Sequence, residues 1–225
     1  MNTVIENSAL RSLLERLHAS SDTQDREIAA YYKAGAERPT GFEQEGSAGR
    51  EFWRDKFVAL ERDKAEFIYA LCRAMRARRI VEAGTSFGVS TLYLAAALRD
   101  NGGGLVTTCD IEESKAEVAR GHFAEVGLSD LIDLRVGDVR HTLRDIDEPV
   151  DLLLLDIWAP ITADIIALIG PHVRTGGVVV ADNITARRDR YAGLIAYLAD
   201  CSNGFTTQTL AFEGGLELAV KTQAA

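Results

Sequence analysis

Cysteine, proline, methionine and tryptophan are scarce in this chain of 225 residues: three Cys, four Pro, two Met and two Trp. Cys72, Cys109 and Cys201 are widely spaced, odd in number and without metal-ligand spacing. That excludes a disulfide-stapled scaffold and a zinc finger or ribbon, and points to reduced thiols in a cytoplasmic protein. Positive charge is also in deficit. Lys and Arg total 25 against 34 Asp and Glu, a formal charge of −9, which excludes a surface built to track DNA or RNA phosphates. The arginines that do cluster, in RAMRARR (73–79), read as the solvated end of a helix. No apolar run is long enough to cross a bilayer. The start, MNTVIENSALRSLLERL, has an early acidic residue and no apolar core or small-residue cleavage site. It therefore reads as an amphipathic helix rather than a signal peptide.

What is present is ordinary for a globular domain, 47% hydrophobic and 26% charged. From residue 80 onward, short β-branched runs alternate with helical stretches. ARRIVEAG, LVTTCD, LIDLRVGD, VDLLLLD and GGVVVADN read as strands. VSTLYLAAAL, ESKAEVARGHFAEVG, TADIIALIG and RRDRYAGLIAYLAD read as helices between or after them. This rhythm predicts an α/β fold with a mostly parallel sheet covered on both faces. FTTQTLAF and LELAV, separated only by Glu213, Gly214 and Gly215, leave no room for a helix. They predict an antiparallel C-terminal hairpin, completing a seven-stranded Rossmann-like sheet.

The first eighty residues carry no strand signal. Residues 4–18 and 22–34 read as two helices, 34–50 as a Gly-rich polar loop containing Pro39, and EFWRDKFVALERDKAEFIYALCRAM as helix with a break near Leu60. A division follows: residues 1–58 as an N-terminal helical cap for substrate or dimer contacts, and 59–225 as the main domain. The helical start suits a homodimer contact, though a helix packed on its own domain would look the same.

In open α/β sheets, ligands sit beyond the C-terminal strand ends, where strand order reverses. The first strand runs into EAGTSFGVST, in which Gly84 permits a tight turn and Gly88 a close helix start. The spacing is G-x-x-x-G. Ser86 stands where a dinucleotide fingerprint has its second glycine, which disfavours a pyrophosphate ligand such as NAD. Glu82, before the loop, suits a ligand ammonium. Asp110 ends the second strand and is placed for ribose hydroxyls. Asp138 ends the third and can accept from an adenine amino group, although a strand-end Asp is also a common helix cap.

This set of motifs resembles the class I S-adenosylmethionine-dependent methyltransferases, within them the catechol and caffeoyl-CoA O-methyltransferase family. IVEAGTSFGVSTLYLA, VTTCD, GLSDLIDLRVGD, LLLLDIW, GGVVVADN and GGLELAVK carry the resemblance over roughly residues 60–221. It implies that Glu82, Gly84, Ser86 and Ser90 surround the methionine part of the cofactor, with Gly88 also a cofactor-binding residue. Asp110 would take the ribose and Ile111 pack on adenine. Asp138 and Val139 would line the adenine edge, and Trp158 would cover an adenine face. Leu60 to Lys64 match the segment that closes over the cofactor's carboxylate end. The resemblance further implies that Asp156, Asp182 and Asn183 hold one divalent cation. Two carboxylates and an amide are hard oxygen donors that suit Mg²⁺ better than Zn²⁺. Such an ion would orient two vicinal oxygens and lower a hydroxyl pKa, with Asp156 the catalytic residue.

One departure is Ala159, where catechol O-methyltransferase carries its lysine base. His18, Lys33, Lys64, His141 and His172 are the residues that could replace it, with His172 expected at the opposite end of the sheet. Arg187 and Arg188 could rim the acceptor pocket. The leading reading is an O-methyltransferase acting on a small vicinal diol or catechol-like acceptor. The alternatives are a metal-independent methyltransferase and a non-catalytic S-adenosylmethionine-binding protein.

Overall fold

The computed structural model describes residues 6–33, 51, 53–185 and 188–223. The expected 34–50 loop and Arg187 lie outside the described residues. In chain order the elements are α1 (Ser8–Lys33), α2 (Arg62–Met75), β1 (Arg79–Ala83), α3 (Val89–Asp100), β2 (Leu105–Asp110), α4 (Glu113–Glu125) and β3 (Ile132–Val136). Then follow α5 (Val139–Thr142), β4 (Val150–Leu155), α6 (Thr162–Ile169), β5 (Val173–Asp182), α7 (Ala192–Ala199), β6 (Phe205–Leu210) and β7 (Leu216–Lys221). The sheet order is β3-β2-β1-β4-β5-β7-β6. All neighbours are parallel except β7, which is antiparallel to both β5 and β6. This is the expected Rossmann-like methyltransferase fold with its C-terminal hairpin.

The run LLLL in β4 is apolar throughout because both sheet faces are covered. Leu152 and Leu154 pack into the cluster with α1, α2 and α3. Leu153 and Leu155 face the opposite cluster, with α6 and α7. Asp151, the acid that opens the strand, is a tie at the far end of the sheet. It accepts the backbone N–H groups of Arg78 (2.7 Å) and Arg79 (2.8 Å) and the guanidinium of Arg174 (2.6 Å).

Two local expectations are corrected. Residues 8–33 form one helix of 26 residues, not two. The polar stretch between the two expected helices stays helical, and the Ser20 and Thr23 hydroxyls donate to the carbonyls of Arg16 and Ala19, one turn back. Leu10, Leu13, Leu14 and Leu17 bury its inner face in the same core as α3. The last helix is shorter than RRDRYAGLIAYLAD: α7 begins at Ala192, because Arg188, Asp189 and Arg190 are exposed and have no apolar face to bury. The break near Leu60 is present, with α2 starting at Arg62 behind Glu61. The segment before it is tied to α1, since Phe57 N–H donates to Gln24 Oε1 (2.8 Å) and Ala59 N–H to Ser21 Oγ (2.9 Å). Cys72 and Cys109 are buried free thiols, while Cys201 is exposed. Among the described residues no helix is long and apolar enough to cross a membrane.

Candidate active site

Strand order reverses between β1 and β4, and a cavity of about 710 Å³ opens there at the C-terminal strand ends. The first βα loop forms its floor. Gly84 has φ +104°, and a Cβ on it would stand 2.1 Å from the Asp156 carbonyl oxygen. Glycine is therefore required by conformation and by space. Asp156 N–H in turn donates to the Ala83 carbonyl at 3.1 Å, which locks the end of β4 to the end of β1.

Ser86, the residue in place of a second glycine, adopts a left-handed φ of +47°. Its N–H donates to Asp110 Oδ2 at 2.7 Å, and Glu112 N–H donates to Asp110 Oδ1 at 2.8 Å. Two main-chain donors hold the carboxylate at the cavity wall, and burial pushes its pKa up.

Gly84, Ser86, Ser90, Asp110, Ile111, Asp138, Val139, Asp156, Trp158 and Asn183 line the cavity; Glu82, Gly88 and Asp182 do not. Glu82 lies beneath the loop with no exposed surface. Its Oε2 accepts the hydroxyls of Thr91 (2.5 Å) and Thr108 (2.6 Å), while Oε1 has no hydrogen-bond partner. Burial pushes its carboxyl up, against the opposing pull of the Ser90, Thr108 and Thr91 hydroxyls. The two threonines hold it beneath the loop. Gly88 has φ +85°, and its missing Cβ makes room for the Phe123 ring, 2.5 Å from that position. Its work is packing α3 onto α4. Asp138 reaches the wall but also caps α5, accepting the Arg140 N–H at 2.9 Å, and the Arg140 guanidinium grips both its oxygens. That ion pair draws its pKa down to about 2.

Several lining residues carried no signal in the sequence, because they reach the cavity only through tertiary contacts. Phe57 stacks on Phe87 with centroids 4.5 Å apart, and Trp53 meets Trp158 edge-on at 6.1 Å. Lys115, on α4, lines the wall with its ammonium 5.4 Å from the Phe87 ring centre. Burial pushes its pKa down, against the opposing charges of Asp110 and Glu112. Ile28 and Ala29 of α1, with Ile161, Arg190 and Tyr191, line the cavity as well.

Beyond the loop, β4 and β5 end side by side in Asp156 and Asp182. Burial pushes the Asp156 carboxyl well above the usual range, and neighbouring Asp182 adds to it. Asp182 is pushed up to about 6 by burial, against the pull of Lys64. Lys64, on α2, is fully buried, with Nζ 2.6 Å from Asp182 Oδ1 and 2.8 Å from Glu61 Oε2. Asn183, at φ +58°, donates Nδ2 to Asp182 Oδ2 at 2.7 Å. Among the described residues no three His, Cys, Asp or Glu side chains converge as a metal cluster. The donor types, two carboxylates and an amide at adjacent strand ends, suit a divalent cation, and Lys64 already supplies one positive charge among them.

Of the residues considered in place of the missing lysine base, His172 lies in the turn before β5, at the far end of the sheet. His18 is packed against Tyr93, with Nε2 3.1 Å from the hydroxyl. Lys33 and His141 are exposed and do not line the cavity. Ala159 is itself buried in the wall, and its carbonyl accepts the Thr162 hydroxyl.

Comparison with known proteins agrees with this geometry. Residues 81–184 match a family described as a methyltransferase domain. A catechol O-methyltransferase of Mycobacterium tuberculosis is 30% identical over 158 residues, spanning 70% of this chain and 69% of that protein. The O-methyltransferase TomG from Streptomyces achromogenes, solved with S-adenosylmethionine, superposes with a TM-score of 0.66 at 26% identity, covering 89% of this chain and 99% of that one. An O-methyltransferase from Bacillus cereus shares the fold, with a TM-score of 0.69 at 21% identity over 96% of this chain and 92% of its own.

Proposed function

The chain belongs to the class I S-adenosylmethionine-dependent O-methyltransferases, and from that premise we propose that it methylates one hydroxyl of a small catechol-like or vicinal-diol acceptor. The observation that carries the reading is Asp156. It lines the cavity, its main chain is locked against the cofactor loop at Gly84, and its carboxyl lies beside Asp182 on the neighbouring strand.

The cavity fits S-adenosylmethionine. Gly84 leaves the loop without a side chain at its tightest point, and Asp110 keeps lone pairs for two ribose hydroxyls after accepting its two main-chain donors. Ile111 and Val139 offer apolar walls for the adenine, and a volume of about 710 Å³ is ample for cofactor and acceptor together. S-adenosylmethionine supplies the methyl group on a sulfonium, so the protein's task is alignment and removal of the acceptor proton. In this reading Trp158 covers the adenine, and residues 1–58 act as the acceptor-side cap, with Ile28, Ala29 and Trp53 contributing to the cavity wall.

Asp156, Asp182 and Asn183 would hold a divalent cation such as Mg²⁺, which when bound lowers the pKa of a hydroxyl. Asp156 is catalytic in this assignment. Buried beside a second carboxylate, its ionised form favours a positive charge next to it, which a cation at the acceptor end would supply.

Methyl transfer to a catechol, measured with Mg²⁺, with EDTA and in Asp156→Ala, tests the assignment. Loss of turnover in Asp156→Ala and in EDTA is expected. Turnover indifferent to both would remove the cation and the role of Asp156. Calorimetry with S-adenosylmethionine and NAD should show binding of the former alone.

A further inference from the structure

Among the described residues, a lysine of the chain itself places a cation inside the carboxylate cluster. Lys64 has no exposed surface and does not line the cavity, yet its ammonium joins Asp182 Oδ1 (2.6 Å) to Glu61 Oε2 (2.8 Å). With Asn183 Nδ2 on Oδ2, both oxygens of Asp182 have a partner, and Asp182 does not line the cavity that Asp156 and Asn183 line. Ionised carboxylates this desolvated gain from a nearby positive charge, and a lysine built into α2 provides one. A divalent ion arriving at Asp156 meets a partner carboxylate already neutralised.

We propose that Lys64 is an internal counter-ion that competes with a divalent cation for Asp182, setting the metal affinity of the site to a low value. It is a positioning residue, not a catalytic one. The arrangement keeps the cluster folded when no metal is bound, and it makes metal uptake depend on the ammonium yielding or sharing Asp182. The inference rests on the cation reading proposed above.

The test titrates Mn²⁺ into wild type, Lys64→Met, Lys64→Gln and the charge-retaining Lys64→Arg, by calorimetry and electron paramagnetic resonance. S-adenosylmethionine binding is measured on the same samples. The two neutral variants should bind Mn²⁺ about tenfold more tightly or better, as expected from removing a unit charge a few ångströms from the ion, while Lys64→Arg stays near wild type. Neutral variants that bind S-adenosylmethionine normally but take Mn²⁺ no more tightly overturn the proposal. Absence of Mn²⁺ binding in every protein removes both the proposal and the cation reading, while retained S-adenosylmethionine binding leaves the methyltransferase assignment standing. Should both neutral variants fail to fold, wild type decides. In lysine-labelled protein the buried Lys64 ammonium resonance should shift on saturation with Mg²⁺, and an unmoved signal refutes competition.

Discussion

Gly84 and Asp156 belong to different strands, yet the Asp156 carbonyl oxygen lies 2.1 Å from where a β-carbon on residue 84 would stand. The first βα loop and the end of β4 are thus packed backbone against backbone. Disturbing either should disturb both.

Gly84→Ala is accordingly expected to cost about 2–4 kcal/mol, because the new methyl meets backbone and the φ of +104° disfavours any side chain. Urea denaturation checks the stability loss. S-adenosylmethionine affinity and turnover should fall together in the folded fraction. A variant as stable as wild type would contradict the close approach.

Asp110→Ala removes the acceptor proposed for the ribose hydroxyls. Hydrogen bonds to a charged group contribute about 1.5–3 kcal/mol each, so S-adenosylmethionine should bind roughly 10–100-fold more weakly by calorimetry. An unchanged dissociation constant would relocate the ribose.

His18 ties α1 to α3 through Tyr93, and burial draws its pKa from 6.5 to about 4, with Arg62 adding to the effect. The folded state therefore takes up its proton later than the unfolded chain. Stability from this group is fully present above pH 6.5 and is lost as pH falls toward 4, by about 1–3 kcal/mol. His18→Gln keeps a hydrogen-bonding group for Tyr93 without titrating. Denaturation midpoints at pH 7 and pH 5 should differ less in that variant than in wild type.

Trp53→Ala removes the edge contact with Trp158 and opens the cap. The acceptor KM should rise about 3–10-fold, in line with the worth of an aromatic pair. Cofactor affinity should hold. Equal losses in both would place Trp53 on the cofactor instead.

Much of this could be read from local pattern. The β-α rhythm, the hairpin after Glu213 and the burial of LLLL follow from periodicities that span only a few residues. The break before α2 was legible too. The single helix α1 was not, since Ser20 and Thr23 suit a cap or a helix interior equally until their hydroxyls find carbonyls one turn back. Glu82 and Gly88 were legible as residues of the loop region, but their contacts were not. One anchors hydroxyls beneath the loop, and the other admits the Phe123 ring.

The acids at the strand ends, the glycine loop between them and the missing lysine at Ala159 are properties of the chain alone, since each follows from residue type at a strand boundary. Which carboxylate faces the cavity is not. Lys64 and Asp182 are 118 residues apart, and only the packing of α2 against the end of β5 brings their charges to 2.6 Å. Burial then decides the outcome: in water the pair would be weak, but desolvated it fixes where Asp182 points.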